Sequence, residues 1–200
     1  MWVLAGGIAI LLATKMTLFF CFNGHCTDIS DIFLYYFTWL GQAEVIIPSL
    51  LLLMVIPAFR NRWYFLTALM CNIIPFLIQH FIKGWLNFPR PMLLFRDVPG
   101  IHYLPKWPML LHSSFPSGHS QGAFSFFCFL SLLLPQKFRG IGILFFLLAL
   151  CVCYSRIYLA AHFFEDVYAG SILGTVLTTI IFSVMEQYKD RFSGEKNTFI

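Results

Sequence analysis

Charge is what this 200-residue sequence has least of: Asp, Glu, Lys and Arg together make up 11% of it. An ordinary soluble domain carries roughly 25%. Hydrophobic residues, 24 of them Phe, reach 59%. A soluble globule of this size could not hide so much apolar surface, and disorder is excluded by the same composition. Clusters of basic residues are missing as well. The 13 Lys and Arg are dispersed, which excludes a phosphate-backbone track and a nucleic-acid partner. Metal-type cysteine spacing is absent. Cys71, Cys128, Cys151 and Cys153 lie in apolar runs, and Cys21 and Cys26, which could bridge across a short loop facing an oxidising compartment, read better as two separate thiols. Strand-like alternation is missing too, which argues against a membrane β-barrel. No internal repeat or linker marks a second domain, so residues 1–200 read as one integral membrane unit.

What is there is a set of apolar runs. A bilayer core about 30 Å thick needs roughly 20 helical residues. Six segments approach that length: Trp2–Phe22, Trp39–Phe59, Trp63–Ile82, His119–Leu134, Ile141–Leu159 and Val167–Met185. The expected fold is therefore all-α, a bundle of six transmembrane helices. Lys15 interrupts the first run and either snorkels or faces the bundle. Six spans put both termini on one side, with Arg60, Arg62, Lys137, Arg139, Lys189, Arg191 and Lys196. Lys83, Arg90, Arg96, Lys106 and Arg156 fall on the other. The positive-inside rule makes the first side cytoplasmic. The Pro-rich and aromatic connection from Lys83 to Ser117 then forms a cap on the outer, periplasmic side.

Sorting the polar residues by side brings distant loops together. Lys83 and Arg90 follow the third span, Ser117, Gly118 and His119 open the fourth, Arg156 ends the fifth, and His162 and Asp166 open the sixth. Guanidinium forks and a lysine suit phosphate oxygens. Any one of these cations alone reads as a headgroup anchor; the set reads as a site. Ser117 suits a helix N-cap, and Gly118 lets a ligand approach amides at a positive helix end. His119 could protonate a leaving group, or be an interfacial histidine at an ordinary helix start. His162 and Asp166, spaced i and i+4, would share a helix face, where a carboxylate on one ring nitrogen frees the other as a nucleophile. A purely structural His–Asp bond and a metal half-site are the alternatives, the latter disfavoured by the neighbouring cations. Gly170 and Gly174 extend the same stripe and suit close helix packing. Glu165 points away and reads as a rim residue. Asn72, Gln79, His80, Gln121 and Ser125 read as interhelical hydrogen-bonding groups. Trp85, Phe88, Phe95, Tyr103 and Trp107 would line the entry.

Written out, the polar pattern is Lys83-x6-Arg90-Pro91, then Pro116-Ser117-Gly118-His119, then Ser155-Arg156-x5-His162-x3-Asp166, all within residues 83–166. It resembles the three-part signature of the type 2 phosphatidic acid phosphatase superfamily, membrane lipid phosphatase branch. The resemblance implies an enzyme that hydrolyses a lipid phosphomonoester or pyrophosphate without metal or other cofactor. His162 would attack phosphorus and form a phosphohistidine, Asp166 would orient it, and His119 would protonate the departing oxygen. Lys83, Arg90, Ser117, Gly118 and Arg156 would hold the phosphoryl oxygens. The substrate class implied is undecaprenyl pyrophosphate, a lipid A phosphate or a glycerophospholipid phosphate. Similarity to compact bacterial members implies the inner membrane, with the active site facing the periplasm or outside. A lipid phosphotransferase, or a non-catalytic membrane scaffold or transporter on the same fold, is the alternative reading.

Overall fold

The structure is a computed structural model and describes residues 1–24 and 26–193. The regular elements among the described residues are all helices, with no strand. Lys196, counted above for sidedness, lies outside them.

The first apolar run is not one span. It breaks into α1 (Trp2–Leu12) and α2 (Lys15–Asn23), bent by 117°. Ala13 is extended, and the Thr14 hydroxyl accepts from Thr17 N at 3.2 Å, capping a new helix. A residue whose side chain satisfies a fresh N-terminus ends one helix and starts another. Lys15 sits at this break, 3.7 Å from Glu165 and 4.0 Å from the centre of the Phe163 ring, so it faces the bundle.

The second run is split as well. α3 (Asp28–Phe37) opens with a Thr27–Ser30 capping box, passes through a tight turn at Thr38–Gly41, and bends by 57° into α4 (Ala43–Leu53). Gly41 has a steric reason. A Cβ there would lie 2.5 Å from the His119 carbonyl oxygen.

α5 (Arg62–Leu86) starts on an Asn61 cap and runs four residues beyond the expected end. It stops at Asn87, whose φ of 42° is left-handed. Arg90 therefore does not continue its face. It caps α6 (Pro91–Phe95), with Pro91 in the first-turn position that needs no N–H donor. The connection from residue 96 to 117 is folded back onto the bundle end by Arg90 N to Leu111 O and Ser114 N to Phe88 O.

α7 (Gly118–Leu133) is central, packed by α5, α8 (Ile141–Tyr158) and α9 (Phe164–Gln187); α10 (Lys189–Ser193) follows. Positions of Cβ atoms added at Gly170 and Gly174 would lie 2.5 Å from the carbonyl oxygens of Ser117 and Gln121. The small-residue stripe is thus the seam on which α9 meets α7. Among the described residues, three helical stretches are individually long and apolar enough to cross a membrane, and up to five if each bent pair is one span. α7, with 16 residues, covers only ~24 Å at about 1.5 Å per residue.

Candidate active site

Four chain segments meet where α5 ends, α7 starts, α8 ends and α9 starts. The turn between α8 and α9 places two of the key groups. Ala160 adopts φ of 50°, and the N–H groups of Ala161 and His162 both donate to Arg156 O, at 3.0 and 3.2 Å. Arg156 and His162 are thereby fixed beside each other.

His162 is buried and lies before α9, not on it. The expected shared helix face is replaced by a cap arrangement. Asp166, at the third position of α9, accepts from Phe163 N at 2.9 Å and from the Ser114 hydroxyl at 2.5 Å. The same oxygen lies 3.5 Å from His162 Nδ1, which has no nearer hydrogen-bond partner. The other ring nitrogen, Nε2, lies 3.3 Å from Arg90 Nη1. One nitrogen thus faces a carboxylate and the other a guanidinium. Burial, then Arg90, Arg156 and Lys83 in that order, hold the His162 imidazole well below the usual histidine range. It is neutral at pH 7, with a lone pair on one nitrogen.

Arg90 is buried and held by carbonyls: Nε donates to His112 O at 2.8 Å, Nη1 to Ala161 O at 2.9 Å and Nη2 to Ser113 O at 3.2 Å. Arg156, 1% exposed, donates Nη1 to the Thr38 hydroxyl at 3.0 Å, and its Nε has no partner. The Trp107 ring covers it at 4.8 Å. Among the described residues neither guanidinium is paired with a carboxylate within salt-bridge distance. Lone buried charge is costly, so the geometry favours an anion between them.

Ser117 caps α7, its hydroxyl oxygen accepting from Ser120 N and the Ser120 hydroxyl, while its own N–H donates to Asp166 O at 2.9 Å. Both acceptor sites of its hydroxyl thus serve the cap, and the hydroxyl proton is left to donate. The first-turn amides beyond it, Gly118 and His119, lack intrahelical acceptors. Gln79 stands beside Gly118 and donates to Pro116 O at 3.0 Å. His119 lies within electrostatic range of Arg156, His162, Lys83 and Arg90, and its Nε2 is 2.9 Å from Gln42 Nε2. Drawn so, the amide donates to a ring lone pair; turned over, its oxygen receives the ring proton. Lys83, half-buried, lines the same cavity as His119.

All eight residues singled out from the sequence reach this one end of the bundle. Four partners escaped sequence reading: Thr38, Gln42, Ser114 and Asn23. Gln42, a polar residue beside Gly41 in an apolar run, was the one visible signal. Asn23 Nδ2 donates to His102 O and Tyr158 O at 2.9 and 2.8 Å, tying α2, the 96–117 connection and the end of α8 together. Of the expected entry aromatics, Trp107 covers Arg156, Phe95 packs inward on Phe19 and Phe163, and Trp85 points outward. Cys21 and Cys26 are free, exposed thiols.

Residues 61–190 match the family model of the PAP2 superfamily. The crystal structure of Aquifex aeolicus LpxE superposes with a TM-score of 0.73 at 26% identity, covering 86% of this chain and 96% of that one. The crystal structure of the first transmembrane PAP2 type phosphatidylglycerolphosphate phosphatase from Bacillus subtilis gives 0.71 at 20% identity, over 93% and 92%, a likeness of fold. Lipid phosphate phosphatase 1 of Arabidopsis thaliana is 35% identical over 82 residues, 36% of this chain; the match spans a quarter (25%) of that relative's length.

Proposed function

This chain belongs to the PAP2 superfamily, and from that premise we propose that it is a membrane lipid phosphate phosphatase working through a phosphohistidine. The observation that carries the reading is the buried imidazole of His162 beside two buried guanidinium groups that, among the described residues, have no carboxylate partner within salt-bridge distance. A phosphoryl group between Arg90, Arg156, Lys83 and the Gly118 amide would find its charge neutralised and its phosphorus facing His162 Nε2. Nε2 attacks, and the bond to the leaving oxygen breaks as His119 protonates that oxygen. Asp166 steadies the proton on Nδ1 while positive charge develops on the ring. Water then attacks the phosphohistidine, giving its proton back to His119 and releasing phosphate.

The rest of the reading follows from the apolar surface and the charge pattern. The whole chain acts as a single membrane unit of six spans, with α1–α2 and α3–α4 each counted as one broken span. Both termini face the cytoplasm, the 83–117 connection caps the periplasmic side, and the membrane is a bacterial inner membrane. The substrate is an undecaprenyl pyrophosphate, a lipid A phosphate or a glycerophospholipid phosphate.

A panel of these lipids offered to purified protein tests the reading, with phosphate release measured. We expect release without added metal and unaffected by chelators. His162→Ala should lower it by roughly 10³-fold or more, with no acid-labile phosphoryl label on the protein. Release undiminished in His162→Ala would overturn the assignment of the nucleophile.

A further inference from the structure

A cavity of about 650 Å³ opens beside the phosphate site between α4, α5 and α7. Its upper end carries Lys83 and His119, and Ile46 and Phe76 are among its apolar walls. It also holds two amide side chains that the proposed chemistry does not use, Asn72 and Gln121. Each has a buried oxygen without a hydrogen-bond partner.

The orientation of both amides is set by their neighbours. Asn72 Nδ2 donates to Ala68 O at 2.9 Å, and turning the amide would set oxygen against oxygen. Gln121 Nε2 donates to the Ser125 hydroxyl at 2.9 Å, and that hydroxyl donates onward to Gly174 O at 3.4 Å. Oδ1 of Asn72 and Oε1 of Gln121 are therefore the ends left over, and both are acceptors. A buried acceptor without a donor is costly. Gln121 lies four residues below Ser117 on α7, and Asn72 seven residues below Gln79, the neighbour of Gly118, on α5, ~6 and ~10 Å down their helix axes at about 1.5 Å per residue. The unsatisfied oxygens thus sit at the depth of the first part of a lipid chain whose phosphate is held above.

We propose that Asn72 and Gln121 determine specificity by accepting a hydrogen bond from a donor, a hydroxyl or an amide N–H, in the otherwise apolar part of the lipid. The inference rests on the lipid phosphatase reading. It selects lipids with a polar hydrogen near the start of the chain over those, such as polyprenyl chains, that carry none.

The test uses two matched lipids, 1-(3-hydroxymyristoyl)glycerol 3-phosphate and its plain myristoyl counterpart. Binding of each to full-length His162→Ala protein in detergent reports the subsite without turnover. The hydroxylated lipid should bind about tenfold tighter. Asn72→Leu and Gln121→Leu, each added to that protein, should bring the ratio towards one. Equal binding of the two lipids by the parent protein would overturn the proposal and point to water as the partner of both oxygens. So would a preference undiminished in both leucine variants. Phosphate release by the wild-type protein, measured in parallel, separates the two claims. Release from both lipids with equal binding sinks the subsite alone. Preferential binding with release from neither upholds the subsite and sinks the phosphatase reading.

Discussion

At the scale of single residues, the site works by giving each nitrogen of His162 a different neighbour. The pH dependence follows from the cationic, buried surroundings. Because the ring's pKa is pushed down, protonation that removes the lone pair of the proposed nucleophile occurs below the usual value of about 6.5. Activity should persist through pH 6.5 and fall only at lower pH. Stability should begin to decline earlier, from about pH 6.5 downward, since there the unfolded chain takes up a proton that the folded one still refuses. A rate profile already falling at pH 7 as the pH is lowered would contradict the burial of the ring. Gln42 offers a second test. It is a positioning residue for His119, so Gln42→Leu should lower kcat about tenfold for a poor leaving group and much less for a good one. Equal loss on both would make its role merely structural. Most of the reactive groups were legible in the sequence because motif residues carry charge into apolar surroundings. Ser114, Thr38 and Gln42 were not. Their hydroxyls and amide act on the site only after distant loops fold together, and apart from the polar Gln42 beside Gly41 in an apolar run nothing local marks them.

At the scale of elements, the sequence showed where apolar runs lie but not where they break. Hydropathy sums over Ala13 and Thr14 without registering that the Thr14 hydroxyl starts a new helix, and over Thr38–Gly41 without registering the turn that brings Gly41 against α7. Helix direction is decided by such caps, which composition does not see. The i, i+4 spacing of His162 and Asp166 was legible, but its meaning changed: the pair meets through a helix start, not along a helix face. The glycine stripe of α9 was read correctly because small residues at that spacing have few other uses. Gly170→Val tests the seam. Its Cβ would lie 2.5 Å from Ser117 O, a backbone atom that cannot swing aside. We expect a loss of about 3 kcal/mol, read as a lower midpoint of thermal unfolding in detergent, with phosphate release falling as α7 and α9 part. An unchanged midpoint would mean that the two helices are not in register as described.

At the scale of the whole molecule, the proposed orientation can be read with thiols the protein already has. Cys21 and Cys26 are exposed at the α2–α3 turn, the same end as the site, since Asn23 bonds His102 and Tyr158 there. A membrane-impermeant maleimide added to spheroplasts should label them, and the label should vanish in the Cys21→Ser, Cys26→Ser double variant. Labelling only after the membrane is opened would invert the topology. The 96–117 connection is stitched down at both ends. Asp31 accepts from His102 and from the Tyr158 hydroxyl, while Arg90 is gripped by the carbonyls of His112 and Ser113. Lifting this roof would strip the site of a guanidinium at the moment of loading. Under the proposed function, traffic therefore runs sideways, within the plane of the bilayer, and a lipid surrenders its phosphate without its tails ever leaving oil.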